Sequence, residues 1–357
     1  MAYTEINKSS NFFNVNLWTG NGNSGLAITG VDFRPDLTWI KERNQTRGHV
    51  LFDVVRGATF QFNPNSNATN AQEAESLKSF DTDGFTVGNA NSVNQNSYLY
   101  VSWNWLAGGS QGSSNTDGSI NTTYTSVNTT SGCSVVQYSA NNTAGATVGH
   151  GLGVVPRMIL VKESTGSVND WVVYHASLGN TKKLILNEIN TAGIDNFMND
   201  TTPTSTVFSI SDASVVNRSG STYMAYCFAE KQGYSKFGGY TGNGSTDGTF
   251  VYLGFSPAFL MVKRTNSTGV WGMYDNKRIG YNTSQGVQNV LRANSSDAVA
   301  ASGGDAGGFG GIDFLSNGFK CKLSDVNMGA SGSSYIYMAF AENPFVTGDS
   351  ATPTTAK

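Results

Sequence analysis

A proline, a short apolar run and a lysine six places after the proline recur three times in this chain of 357 residues. The copies are Pro35-Asp-Leu-Thr-Trp-Ile-Lys41, Pro156-Arg-Met-Ile-Leu-Val-Lys162 and Pro257-Ala-Phe-Leu-Met-Val-Lys263. An aromatic residue stands at a nearly constant distance before each proline: Trp18, Tyr138 and Tyr240. A period of about 100 residues is too long for a solenoid unit and fits a complete small domain. The run is apolar at both strand parities in the second and third copies, which predicts a central strand buried on two faces. Proline is tolerated at its first residue, where a missing N–H costs no ladder bond. The lysine is expected where the strand re-emerges into water.

The flanking segments predict a constant order of short strands. Copy one opens with Phe12-Phe-Asn-Val-Asn-Leu-Trp18, continues through Gly48–Gly57 and reverses at an Asp-Gly pair between Phe80 and Gly88. It closes with Ser97-Tyr-Leu-Tyr-Val-Ser-Trp-Asn-Trp-Leu106, whose Leu99, Val101, Trp103 and Trp105 share one face. Matching closing runs occur at 222–230 and 334–342. Two helical turns are expected at Ala71–Lys78. The expected fold class is all-β: three tandem β-sandwich domains of jelly-roll or lectin-like type. The expected organisation is an N-terminal arm at 1–10, sandwiches at 11–109, 133–232 and 233–345, a Gly/Ser/Asn/Thr-rich linker at 110–132 and a tail at 346–357. The distance from proline to closing strand grows along the chain in Gly- and Asn-rich loops such as 300–311, as when a fixed scaffold carries variable surface.

Composition narrows the function. Charged residues are only 13% and the formal net charge is −3, which gives no electrostatic case for nucleic acid or an anionic membrane. No run is long enough to span a bilayer, and the first residues lack a signal-peptide pattern, so membrane insertion is not expected. Cys133, Cys227 and Cys321 are read as three unpaired thiols, with no disulfide framework, metal or cofactor. His49, His150 and His175 show no ligand spacing. Asp53 and Asp275 occupy matching positions where copy two has His175, so no complete carboxylate pair recurs. Catalytic residues are therefore not assigned. Trp39, Trp171 and Trp271 are expected in the core. The remaining binding candidates are Trp18, Tyr138 and Tyr240, which would stack on sugar faces if exposed beside their loops.

Four segments in fixed order carry a resemblance: Phe33–Arg43, His49–Gly57, Leu77–Gly88 and Tyr100–Trp105. Together they resemble a repeat domain of structural proteins of tailed bacteriophages, many of them marine, usually labelled tail-fibre or virion proteins. The match is specific over 31–109 and diffuse in the later copies, which lack the Asp-Gly-Phe-Thr-Val turn and the Val-Arg-Gly ending. The resemblance implies a non-enzymatic virion protein, assembled in a bacterial cytoplasm and partnered by other virion proteins. It implies a tail fibre or receptor-binding component contacting host surface polysaccharide. A capsid decoration or head-fibre protein is the alternative, and a carbohydrate-active enzyme or bacterial surface lectin a third. Fibres are usually homotrimers, and three internal copies could substitute for one.

Overall fold

In the computed structural model the described residues are 4, 6–166, 168–278, 290–299 and 311–344. Most of the Gly-rich run 300–311 and the tail 346–357 lie outside them.

The first repeat runs β1 (Phe13–Thr19), β2 (Leu26–Ile28), β3 (Leu37–Glu42), β4 (Val50–Asp53), β5 (Phe60–Gln61), β6 (Ala71–Gln72), β7 (Leu77–Asp81) and β8 (Gly84–Val87). One helical turn, α1 (Asn91–Asn94), leads into β9 (Leu99–Trp105). The second repeat adds β10 (Thr122–Asn128), then runs β11 (Cys133–Ser139), β12 (Ala146–Gly149), β13 (Met158–Glu163), β14 (Val172–His175), β15 (Lys182–Ile185), β16 (Gly193–Ile194) and β17 (Val207–Ile210). It closes through α2 (Ser214–Asn217) and β18 (Thr222–Phe228). The third comprises β19 (Ser235–Thr241), β20 (Phe250–Tyr252), β21 (Phe255–Arg264), β22 (Trp271–Asp275), β23 (Leu291–Arg292), β24 (Ile312–Leu315), β25 (Gly318–Cys321) and β26 (Ser334–Pro344). The fold is all-β with paired antiparallel sheets.

Each repeat builds an inner sheet in the same order: β1-β9-β3-β4, β11-β18-β13-β14 and β19-β26-β21-β22. Smaller outer sheets, β2-β8-β7, β12-β17 and β20-β25-β24, cover one face of each. The Pro-to-Lys run is the interior strand β3, β13 or β21, and β3 and β13 are buried at every position. The Asp-Gly signal is a hairpin in which Asp81 pairs with Gly84. Gly84 sits at φ +117°, and a Cβ there would lie 2.0 Å from the Ile28 carbonyl oxygen, so glycine is required.

The inner sheets explain why the Pro-to-Lys run is apolar at both parities. Ile159 and Val161 face the second repeat's own sandwich, as Leu260 and Val262 face the third's. Their neighbours Met158, Leu160, Phe259 and Met261 face a larger core that also takes in Leu37, Trp39, Trp103 and Trp105 of the first repeat. Three sheets thus turn one face each to a common axis. Trp105, Phe228 and Phe340 hold the same position in their closing strands. Their rings meet pairwise at 6.1, 6.0 and 5.7 Å, a near-equilateral triangle on a pseudo-threefold axis.

Two expectations are corrected. The linker 110–132 contains β10, which pairs with β11, and Ile120 is buried in the second repeat's core. Its Thr- and Ser-rich run hides a strand because it covers a sheet edge and needs few apolar side chains. The residues expected as a helix, 71–78, instead enter β6 and β7, where ladder partners from β5 and β8 are available.

Candidate functional site

The sites where chemistry-bearing side chains gather are the three junctions between repeats. In each, the segment following β4, β14 or β22 reaches over the next repeat in a cycle: first onto second, second onto third, third onto first. Trp171 Nε1 donates to the Asn63 carbonyl at 3.3 Å, and Trp271 Nε1 donates to the Ile185 carbonyl at 2.9 Å. His49 holds the corresponding place in the first repeat, and its Nε2 lies 3.0 Å from the Arg292 carbonyl. Trp39 meets His49 edge-on, with ring centroids 5.7 Å apart, and donates Nε1–H to His49 Nδ1 at 2.8 Å. That bond fixes the tautomer, leaving Nε2 to donate. Burial drives the His49 pKa well below the ordinary imidazole value.

Lys41, Lys162 and Lys263 lie beneath these arms, each with no exposed surface. The expectation of a strand-end charge in water is therefore corrected. Lys162 Nζ donates to the carbonyls of Asn67 and Asn169, at 3.0 and 2.7 Å. Lys263 Nζ donates to those of Ile189 and Arg264, at 3.3 and 2.7 Å, and Lys41 Nζ to that of Glu42. Asn67 and Ile189 belong to the arm of the preceding repeat, so the lysine ties arm to sheet. Loss of hydration pulls each ammonium down to about 8.

The third clasp uses Asp53, His175 and Asp275, which share one register position. Asp53 Oδ2 accepts Arg56 Nε–H at 2.6 Å and the hydroxyl of Tyr226, from the second repeat, at 2.7 Å. Asp275 Oδ2 accepts Arg278 Nε–H at 2.6 Å and Trp103 Nε1–H, from the first repeat, at 3.1 Å. Met338 stands in the third repeat where Tyr226 and Trp103 stand in theirs, and it has no proton to donate. There the carboxylate is replaced by His175, whose Nε2 lies 3.1 Å from the Tyr337 carbonyl, and burial lowers its pKa to about 4. The mixed set Asp, His, Asp is thus an adaptation to the partner strand at each junction.

Trp18, Tyr138 and Tyr240 also occupy one place, inside the sandwiches. They stack on Tyr100, Tyr223 and Tyr335 at 5.3, 5.5 and 5.0 Å, and meet Phe85, Phe208 and Phe319 edge-on. Their polar tips donate to the carbonyls of Val93, Val216 and Met328 at 3.1, 2.8 and 2.9 Å. Tyr138 is fully buried, the other two half-buried. Sugar stacking needs an open ring face, and here the faces are taken by partner rings. The expectation of three equivalent binding aromatics is corrected accordingly, although Tyr240 does border a cleft.

That cleft, of about 550 Å³, lies between the arm of the second repeat and the inner sheet of the third. Thr241, Ser334 and Asn266 line one side, and Ser177, Leu178 and Lys182 the other. Gly239 and Ile336 complete part of the sheet side. Among its lining residues Lys182 carries the one formal charge, and the lining holds neither carboxylate nor imidazole. Hydroxyls and a carboxamide can bind a polar ligand by hydrogen bonds but supply no general base. No local sequence signal marks this site. Its signal was a mismatch across repeats: Gly239 corresponds to Leu17 and Gln137 in the ladders.

One family profile, described as a domain of unknown function (DUF7483), matches residues 8–344. No curated protein and no solved structure matches the chain. The profile runs through all three repeats as one unit, as does the shared core that joins them. By that match, which takes in nearly its whole length, the chain belongs to the DUF7483 family.

Proposed function

We propose that this is a non-enzymatic structural protein of a bacteriophage virion, a tail-fibre or receptor-binding component that contacts host surface glycans. The observation that carries this reading is the closed ring of three repeats around the Trp105–Phe228–Phe340 triangle. One chain offers the symmetry that a fibre head otherwise obtains from three subunits. The resemblance of residues 31–109 to phage virion repeats points the same way. So does the use of Asp53, Asp275, His49 and His175 in internal hydrogen bonds. The pseudo-threefold axis also suits a decoration protein seated on a local threefold of a capsid, with other virion proteins as partners.

Immunogold labelling of purified virions with an antibody against the recombinant chain separates these readings. Label at the tail is the expected result. Label on the capsid alone would replace the fibre role by decoration, and unlabelled virions would remove the virion assignment.

A further inference from the structure

The three junctions are built alike, and one of them departs from the pattern in a way that opens space. Arg56 and Arg278 stand three residues after Asp53 and Asp275, and both fill their junctions. Arg56 lies over the Phe62 ring at 3.8 Å, and Arg278 over the Trp103 ring at 5.7 Å. Each also donates Nη2–H to a strand carbonyl, of Leu51 and Met273, at 3.0 Å. At the second-to-third junction the same step from His175 lands on Leu178, a shorter side chain without a charge. Across from it, the place of Leu17 and Gln137 is taken by Gly239, which adds no side chain. Both changes remove volume from one spot, and both residues line the cleft. A close-packed junction has been exchanged for an open one, at the cost of an ion pair and its contacts.

We infer that this cleft is a carbohydrate subsite for a short oligosaccharide. Its volume lies within the range of small-ligand sites. Its walls match a polyhydroxyl ligand: the hydroxyls of Ser177, Thr241 and Ser334 can each donate and accept, and exposed Asn266 offers a carboxamide. Half-buried Leu178 gives apolar surface for the C–H face of a sugar ring. Lys182, exposed at the rim, adds one positive contact for an acidic sugar. The other two junctions carry Arg56 with Gln137 and Arg278 with Leu17 where this one has Leu178 with Gly239. The assignment rests on the glycan-contact reading proposed above.

The test is saturation-transfer NMR of the full chain with a panel of bacterial surface oligosaccharides of two to four sugars, some neutral and some containing uronic acid. The expected result is transfer to at least one member, stronger for the acidic ones. Binding should be lost in Gly239→Leu, which installs the first repeat's residue. It should also weaken in Asn266→Ala, which removes an exposed carboxamide whose Oδ1 accepts from Ser334 N–H at 3.2 Å and Arg264 Nε–H at 3.4 Å and leaves the core untouched. Circular dichroism checks that both fold, and Asn266→Ala carries the test if Gly239→Leu does not. No transfer to any member, or binding unchanged in the folded variants, overturns the subsite. Tail labelling of the virion with no oligosaccharide bound would overturn the subsite alone. Oligosaccharide bound in the cleft of a protein absent from virions would overturn the virion reading alone.

Discussion

Replacing Asp53 by alanine should destabilise the protein by about 3–5 kcal/mol, the usual cost of leaving one member of a buried ion pair without its partner. Arg56 and Asp53 are both almost wholly buried, with 2% and 0% of their side chains exposed. Removing the carboxylate strands the guanidinium and also the Tyr226 hydroxyl, which arrives from another repeat. Urea unfolding of Asp53→Ala, Tyr226→Phe and the double variant measures the effect. Tyr226→Phe removes one donor while Arg56 keeps its partner, so a cost of about 1 kcal/mol is expected. The double variant should cost less than the sum, because the two groups share one junction. An Asp53→Ala loss below about 1 kcal/mol would show that the clasp contributes little to joining the repeats.

The second large effect is a rise of stability with alkalinity. Lys41, Lys162 and Lys263 have folded-state pKa values of about 8, against 10.5 for a hydrated lysine. Between these values the unfolded chain binds more protons than the folded one, so stability increases with pH across that window. Each lysine can contribute on the order of 2 kcal/mol between pH 8 and 10. Above pH 10 the sign reverses. Tyr100 and Tyr223 are pushed up to about 12, so the unfolded chain ionises its tyrosines first and folding is penalised. Urea midpoints should therefore climb from pH 7.5 to about 9.5 and fall beyond 10. The slope should shrink in Lys41→Met, Lys162→Met and Lys263→Met, even though each loses its carbonyl contacts. A flat or falling profile between pH 8 and 9.5 would contradict the lowered pKa values of the lysines beneath the arms.

What the chain reveals in one dimension, and what it hides, follows from how far apart the deciding residues lie. The all-β class and the interior place of the Pro-to-Lys strand were legible, because alternation and turn residues are local signals. The burial of Trp39, Trp171 and Trp271 was also expected and is observed, at 3%, 0% and 1% exposure. The lysines misled because an apolar run ending in a charge looks like a strand leaving the core. What covers Lys162 is an arm some 95 positions earlier in the chain, at Asn67. Tyr138 misled for the same reason: the ring it stacks on is Tyr223, supplied by the closing strand. The two histidines are not equivalent: the ladders give His49 the place of Trp171 and Trp271, and His175 that of Asp53 and Asp275. The cleft was legible only in comparison, by setting Leu178 against Arg56 and Arg278.

The central claim is that the three repeats fold as one body around a shared core, because each inner sheet buries one face only against the other two. Native-state hydrogen exchange, read by mass spectrometry at rising urea, tests it most directly in the closing strands β9, β18 and β26. The account predicts that their amides reach the same opening free energy and the same urea dependence, since exposing any one of them requires parting the Trp105–Phe228–Phe340 triangle. Three distinct opening energies, with one repeat exchanging while the other two stay protected, would contradict it.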